Sequence, residues 1–173
     1  MPAFWPTPAA RSMIDSQAGT DPKEPVGSCD QIRRQDPHLM LIESSNSDTK
    51  LELSDLNGEY FIASIRSASH SASMRVSTYT DPNGVVRLFK EAASDWRGWS
   101  GEKCWESLEG DFRLELRIDS TGHVSLKTLI SHDCGNPDPW RLIAELGIDA
   151  GQLESVAQDV ERFFSKSQQL FLA

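Results

Sequence analysis

Long apolar runs are missing from this 173-residue chain, and so are the short motifs by which many enzymes are read. No stretch approaches the roughly 20 apolar residues that a membrane-crossing helix requires. Pro2, Pro6 and Pro8 interrupt the opening where the apolar part of an export signal would lie. Cysteine is scarce. Cys29, Cys104 and Cys134 cannot all pair with one another, and their wide spacing lacks the density of a secreted disulfide scaffold. These features lead us to expect a cytoplasmic protein with reduced thiols and no membrane attachment.

Basic residues are also in deficit. Seventeen Lys and Arg face 26 Asp and Glu, a formal net charge of -9. Such a field repels phosphate backbones and attracts basic partners, so nucleic-acid binding is not expected. There is no P-loop, no G-x-G-x-x-G after a strand, no G-x-S-x-G elbow and no H-E-x-x-H. His132, Asp133 and Cys134, with Cys104 or His123 as further donors, lack the spacing that gathers ligands around zinc; no metal and no cofactor are expected.

What is present reads as one folded domain after a tail. Residues 1–37 hold six of the nine prolines among Ser, Gly, Gln and Asp without sustained periodicity, as expected of a disordered N-terminal tail. Residues 38–173 form a single α+β domain of ordinary size. HLMLIE and TKLELSDL read as strands, Asn57-Gly58 as a two-residue hairpin turn, EYFIASIRS as a third strand and, after a SASHSAS loop, MRVSTYT as a fourth. Asp81 and Pro82 open a helix with Val85, Leu88, Phe89, Ala92 and Trp96 on one stripe and Gly98 as its stop. Leu108, Phe112, Leu114, Leu116 and Ile118 then form a core face opposite Glu109, Arg113, Glu115 and Arg117. GHVSLKTLI follows, and then WRLIAELGI, with Trp140, Leu142, Ala144 and Leu146 opposed to Arg141, Ile143 and Glu145. A last helix enters through Asp149 and Gln152 and carries Leu153, Val156, Ala157, Val160, Phe163 and Phe164 as one stripe. The expectation is an antiparallel sheet of about seven strands packed by two amphipathic helices, in the order β4-α-β3-α or β4-α-β4-α.

The densest unusual stretch is DWRGWSGEKCWESLEGDF. Trp96 continues the helix stripe into the core, and Trp140 joins a strand's core face; both are expected to be structural. His123, after Gly122 at a strand start, is expected to hydrogen-bond a neighbouring backbone. Trp99 and Trp105 either pack over the end of the sheet or anchor a partner. Around them lie Glu102, Glu106, Glu109 and Asp111, so an aromatic, acidic surface for a protein partner is expected here. Glu106 and Glu109 with His123 would supply a hydrolase's acid and base if the fold brought them together.

These motifs carry a resemblance. Trp96-Arg97-Gly98-Trp99-Ser100-Gly101, Trp105-Glu106-Ser107-Leu108-Glu109-Gly110 and Gly122-His123-Val124 resemble the W-x-G-W-x-G, W-x-S-L-E-G and G-H-V pattern of an uncharacterised bacterial family. More distantly the chain is similar to the WapI-type immunity proteins of polymorphic toxin systems, which usually lack the three closely spaced tryptophans. The resemblance implies a non-enzymatic protein-binding module that neutralises a toxin, such as a basic toxin domain, by direct binding. A structural adaptor subunit, pairing through an exposed sheet edge, is the other non-enzymatic alternative.

Overall fold

The computed structural model describes residues 39–133, 135 and 137–170. The expected N-terminal tail lies outside them. Among the described residues eight strands form two antiparallel meanders of four. The first sheet contains β1 (Leu39–Glu43), β2 (Lys50–Asn57), β3 (Tyr60–Arg66) and β4 (Ser71–Ser77). Helix α1 (Gly84–Ser94) leads to the second, of β5 (Lys103–Glu106), β6 (Phe112–Ile118), β7 (Val124–His132) and β8 (Trp140–Ile148). Helix α2 (Ala150–Leu170) follows almost at once. The class is the expected α+β, with two sheets of four strands in place of one of about seven.

Alternation decides which face of each sheet is dry. Met40, Ile42, Leu51, Leu53, Phe61, Ala63, Ile65 and Val76 are buried from the first sheet. Phe112, Leu114, Leu116, Val124, Leu126, Ile130, Ala144, Leu146 and Ile148 are buried from the second. Edge-to-face aromatic rings join these layers. Trp105 meets Phe112 at 6.2 Å between ring centroids, Phe112 meets Phe61 of the other sheet at 6.0 Å, Phe61 meets Phe164 of α2 at 5.5 Å, and Phe164 meets Phe163 at 5.1 Å. The last helix keeps the expected stripe, with Leu153, Ala157, Val160, Phe163 and Phe164 all buried.

Two glycines mark close approaches. A Cβ at Gly84, the first residue of α1, would overlap the Trp105 indole, so the small residue lets β5 press against the start of the helix. A Cβ at Gly147 would lie 2.8 Å from the Asn46 amide. There the β1–β2 turn clasps β8: Ser45 N–H donates to Gly147 C=O at 2.8 Å, and Gly147 N–H donates to Ser44 Oγ at 3.0 Å.

Local departures from expectation have visible causes. The first hairpin turns on Gly58-Glu59, one residue later than expected, with Asn57 paired to Tyr60 and positive φ confined to Gly58, as a type II′ turn requires. Strand β4 begins at Ser71, because Ser67 and His70 already close a short turn through the Ser67 N–H to His70 C=O bond at 2.9 Å. Helix α1 begins at Gly84 and not at Pro82. The Asp81 carboxylate grips the Arg87 guanidinium through both oxygens, at 3.2 and 2.5 Å, instead of capping backbone N–H groups. The helix ends at Ser94, which frees Trp96 from the stripe: it is 56% exposed, not core. Trp140, also expected in the core, is exposed at the start of β8, tilted against His132 at 6.3 Å.

Truncating Phe61 to Ala removes the ring shared by both sheets and α2, so chemical unfolding should show a loss of about 3–5 kcal/mol. A Cβ at Gly84 would also meet the Asp81 carboxylate, so Gly84→Ala should cost roughly 1–3 kcal/mol by overpacking, and less, though not nothing, in a Trp105→Ala background. Equal costs in the two backgrounds would contradict the contact.

Candidate partner-binding surface

Strand β5 and its flanking turns carry the residues singled out above. Of the three closely spaced tryptophans the structure treats each differently. Trp105, 6% exposed, is a core residue on the inner face of β5, which removes it from the expected partner contacts. Trp99 is half-buried against the core; the Lys103 ammonium lies 5.7 Å from its ring centroid and is paired with Asp95 at 2.9 Å. Both indole N–H groups are buried without an acceptor among the described residues. Trp96 projects into solvent just before β5, with the Arg97 guanidinium 5.2 Å from its ring centroid.

Leu108 was expected on the core face and is instead 64% exposed, because a tight turn separates it from β6. Ser107 N–H donates to Phe112 C=O at 2.9 Å, Gly110 N–H donates to Ser107 C=O at 3.0 Å, and Phe112 N–H donates to Ser107 Oγ at 3.1 Å. Asp111 belongs to this turn: its carboxylate accepts the Ser107 hydroxyl, and its carbonyl accepts Ser131 N–H at 2.8 Å. Its position is fixed by the turn and half-buried. Leu108 is thrust out at the tip, beside exposed Glu109.

The acidic character expected here is largely balanced on the outer face of the second sheet. Glu102 contacts Arg117 at 2.6 Å and Arg113 at 3.6 Å. Glu106 contacts Arg113 at 3.1 Å. Glu115, at the centre, contacts Arg113 at 2.8 Å and Lys127 at 3.4 Å. Burial pushes the Glu115 carboxyl up, but the hydrogen bonds and charges of Lys127 and Arg113 outweigh it, leaving the group below its ordinary value. Of the expected acidic contacts, Glu109 lies in the turn beside Leu108 with its side chain exposed and outside this ion-pair network among the described residues.

Glu106, Glu109 and His123 do not converge. The carboxylates lie at the β5–β6 end of β6 and His123 at the β6–β7 end, separated by the seven residues Phe112–Ile118, about 20 Å of strand. The hairpin role expected of His123 falls to its backbone: His123 N–H donates to Asp119 Oδ1 at 3.0 Å, while the ring is exposed with Nδ1 3.8 Å from Asp149 Oδ1. The Asp119 carboxyl is held low, chiefly by the Thr121 hydroxyl it accepts. His132 faces Trp140, Asp133 pairs with Arg141 at 3.0 Å, and Cys134 lies outside the described residues. Among the described residues no three His, Cys, Asp or Glu side chains gather as metal ligands, and no helix is long and apolar enough to cross a membrane.

Exposed Trp96 and Leu108 were missed because each was read as continuing a neighbouring pattern. The local signals against that reading are glycines. Gly98 and Gly101 after Trp96, and Gly110 after Leu108, all adopt positive φ in turns that break the helix and strand periods.

A two-sheet α+β domain with an exposed aromatic margin is the class that these features define. The chain belongs to the DUF6228 family, a family of unknown function, which it matches over residues 42–167. No curated protein shows a significant match to it.

The depressed Glu115 carboxyl stabilises the fold fully above the ordinary glutamate value, and this contribution is lost as pH falls through the lower folded value. Glu115→Gln should therefore lower Tm at pH 7 and flatten the acid limb of Tm against pH. An acid limb as steep as that of the parent would contradict the assignment.

Proposed function

We propose that the chain is a non-enzymatic protein-binding module of the immunity type, acting by occluding a basic partner, such as a toxin domain, with the margin around β5. The observation that carries this reading is the exposure of two large apolar side chains, Trp96 before β5 and Leu108 after it, on a domain of net negative charge. Solvated aromatic and aliphatic anchors are costly to leave uncovered and gain most when a partner buries them. Trp99, half-buried against the core, lies between Trp96 and β5 in the chain, and Glu109 adds an exposed carboxylate beside Leu108. Glu102 and Glu106, held by arginines, contribute position and rim polarity more than free charge.

The contact set therefore shifts from the one read from sequence: Trp96, Trp99, Leu108 and Glu109 form its centre, and Trp105 serves the fold. The long-range field accelerates encounter with a basic protein, and the apolar anchors hold it.

The test is affinity purification from the source organism's lysate, followed by titration of the recovered partner. Trp96→Ala and Leu108→Ala should each keep the parent's Tm and weaken binding by roughly 30-fold. Trp105→Ala should lower Tm. Recovery of no stoichiometric partner, or of one that both surface variants bind at full affinity, would refute the reading.

A further inference from the structure

Four strands lie at sheet edges: β1, β4, β5 and β8. Strand β8 is the longest of them, nine residues against five, seven and four. Its backbone can be followed from the Gly147 clasp. Gly147 directs both N–H and C=O away from β7, toward Ser44 and Ser45. The β7–β8 register runs unbroken from Val124–Ile148 to His132–Trp140, and in a regular antiparallel strand every second residue shares one direction. Arg141, Ile143 and Glu145 therefore also point N–H and C=O outward, where no described residue meets them.

The open edge has definite limits. At one end the β1–β2 turn occupies Gly147; at the other, Pro139 has no N–H to offer and stands before the strand. Between them lie Trp140–Leu146, with Ile143 at the midpoint. Ile143 is 51% exposed on the outer face, flanked along β8 by charged residues and paired with half-buried Leu129 of β7. Two residues before it is Arg141, and two after it Glu145.

We propose that β8 pairs with β8 of a second copy of this chain, antiparallel about a twofold axis through Ile143. In that register Ile143 faces its twin, and Arg141 of each copy faces Glu145 of the other. The positions that face one another are the ones whose backbone groups point outward, so the parity of the strand and the side-chain pattern select the same register. About six backbone hydrogen bonds form, and the two second sheets merge into one of eight strands. The strand leaves the edge at Pro139 where the opposing copy's Ser45 clasp begins, so the two limits coincide. Arg141 now contacts Asp133 at 3.0 Å and Glu145 accepts the Ser125 hydroxyl; both side chains lie on the face where the cross-copy pairs form. Edge strands that must stay single are usually short, bulged, covered, or guarded by lysines, prolines or inward-pointing charges. Here the charges are opposite and symmetric about an apolar centre.

The experiment is sedimentation equilibrium of the full chain with charge reversals at these two positions. The parent should sediment at twice its 19.3 kDa at concentrations on the order of 100 μM. Arg141→Glu places two carboxylates opposite each other across the axis on both sides, and Glu145→Arg two guanidinium groups; each alone should weaken self-association at least tenfold. The double reversal restores opposite pairs and should restore the dimer. Circular dichroism of all four proteins should show the same Tm within a few degrees, which separates dissociation from unfolding. A parent that stays monomeric at that concentration overturns the proposal. So does a dimer indifferent to the single reversals, or one that the double reversal fails to rescue.

Discussion

Phe61 makes the contact that neither sheet can make alone. Its ring meets Phe112 of the opposite sheet at 6.0 Å and Phe164 of the last helix at 5.5 Å, both edge to face. From Phe112 the stack passes to Trp105, and Trp105 lies against Gly84 at the start of α1. Strands β5 and β6 and helix α2 therefore reach the first sheet through aromatic packing whose geometry is directional as well as apolar. A meander of four strands has only local contacts of its own. The ring stack supplies the long-range ones, with the Ser45–Gly147 clasp closing one margin.

That constraint sorts the aromatic residues into those that hold the fold and those that are left over. Trp105 is drawn inward because β5 must press on Gly84, and Trp99 is half-buried against the core. Trp96 and Leu108, one residue type apart in pattern but not in fate, fall in turns whose glycines take positive φ. They are exposed because the core is complete without them. The same logic applies to Ile143, which sits on the outer face of a strand whose inner face is already filled by Ala144 and Leu146.

Much of the fold was legible. Period-two alternation identified the faces of β6 and of the later part of β8, and period-four spacing identified the stripe on α2, since local sequence and burial agree there. The alternative of eight strands with helices after the fourth and the eighth is the one realised. Less legible was the division into two sheets, because the ring contacts that separate them join residues about 50 apart in the chain, and no local pattern encodes them. Exposure at the candidate site was less legible: Trp96 was expected in the core and is exposed, and Trp105 was expected at a surface and is buried, because helix periodicity runs on past a stop that Asp95 and Gly98 impose with the Gly98 N–H to Asp95 C=O bond at 2.8 Å. Ile143 was visible in sequence as an apolar residue on a polar face; what the pattern lacked was the knowledge that β8 is an edge.

Native-state hydrogen exchange, followed residue by residue, tests the central claim most directly, because it reads whether the two sheets open together. If the ring stack makes one cooperative unit, the slowest amides of β2, β3, β6, β7 and α2 should share a single opening free energy equal to that of global unfolding. Two distinct values, one for each sheet, would show that the sheets are independent and would contradict the account.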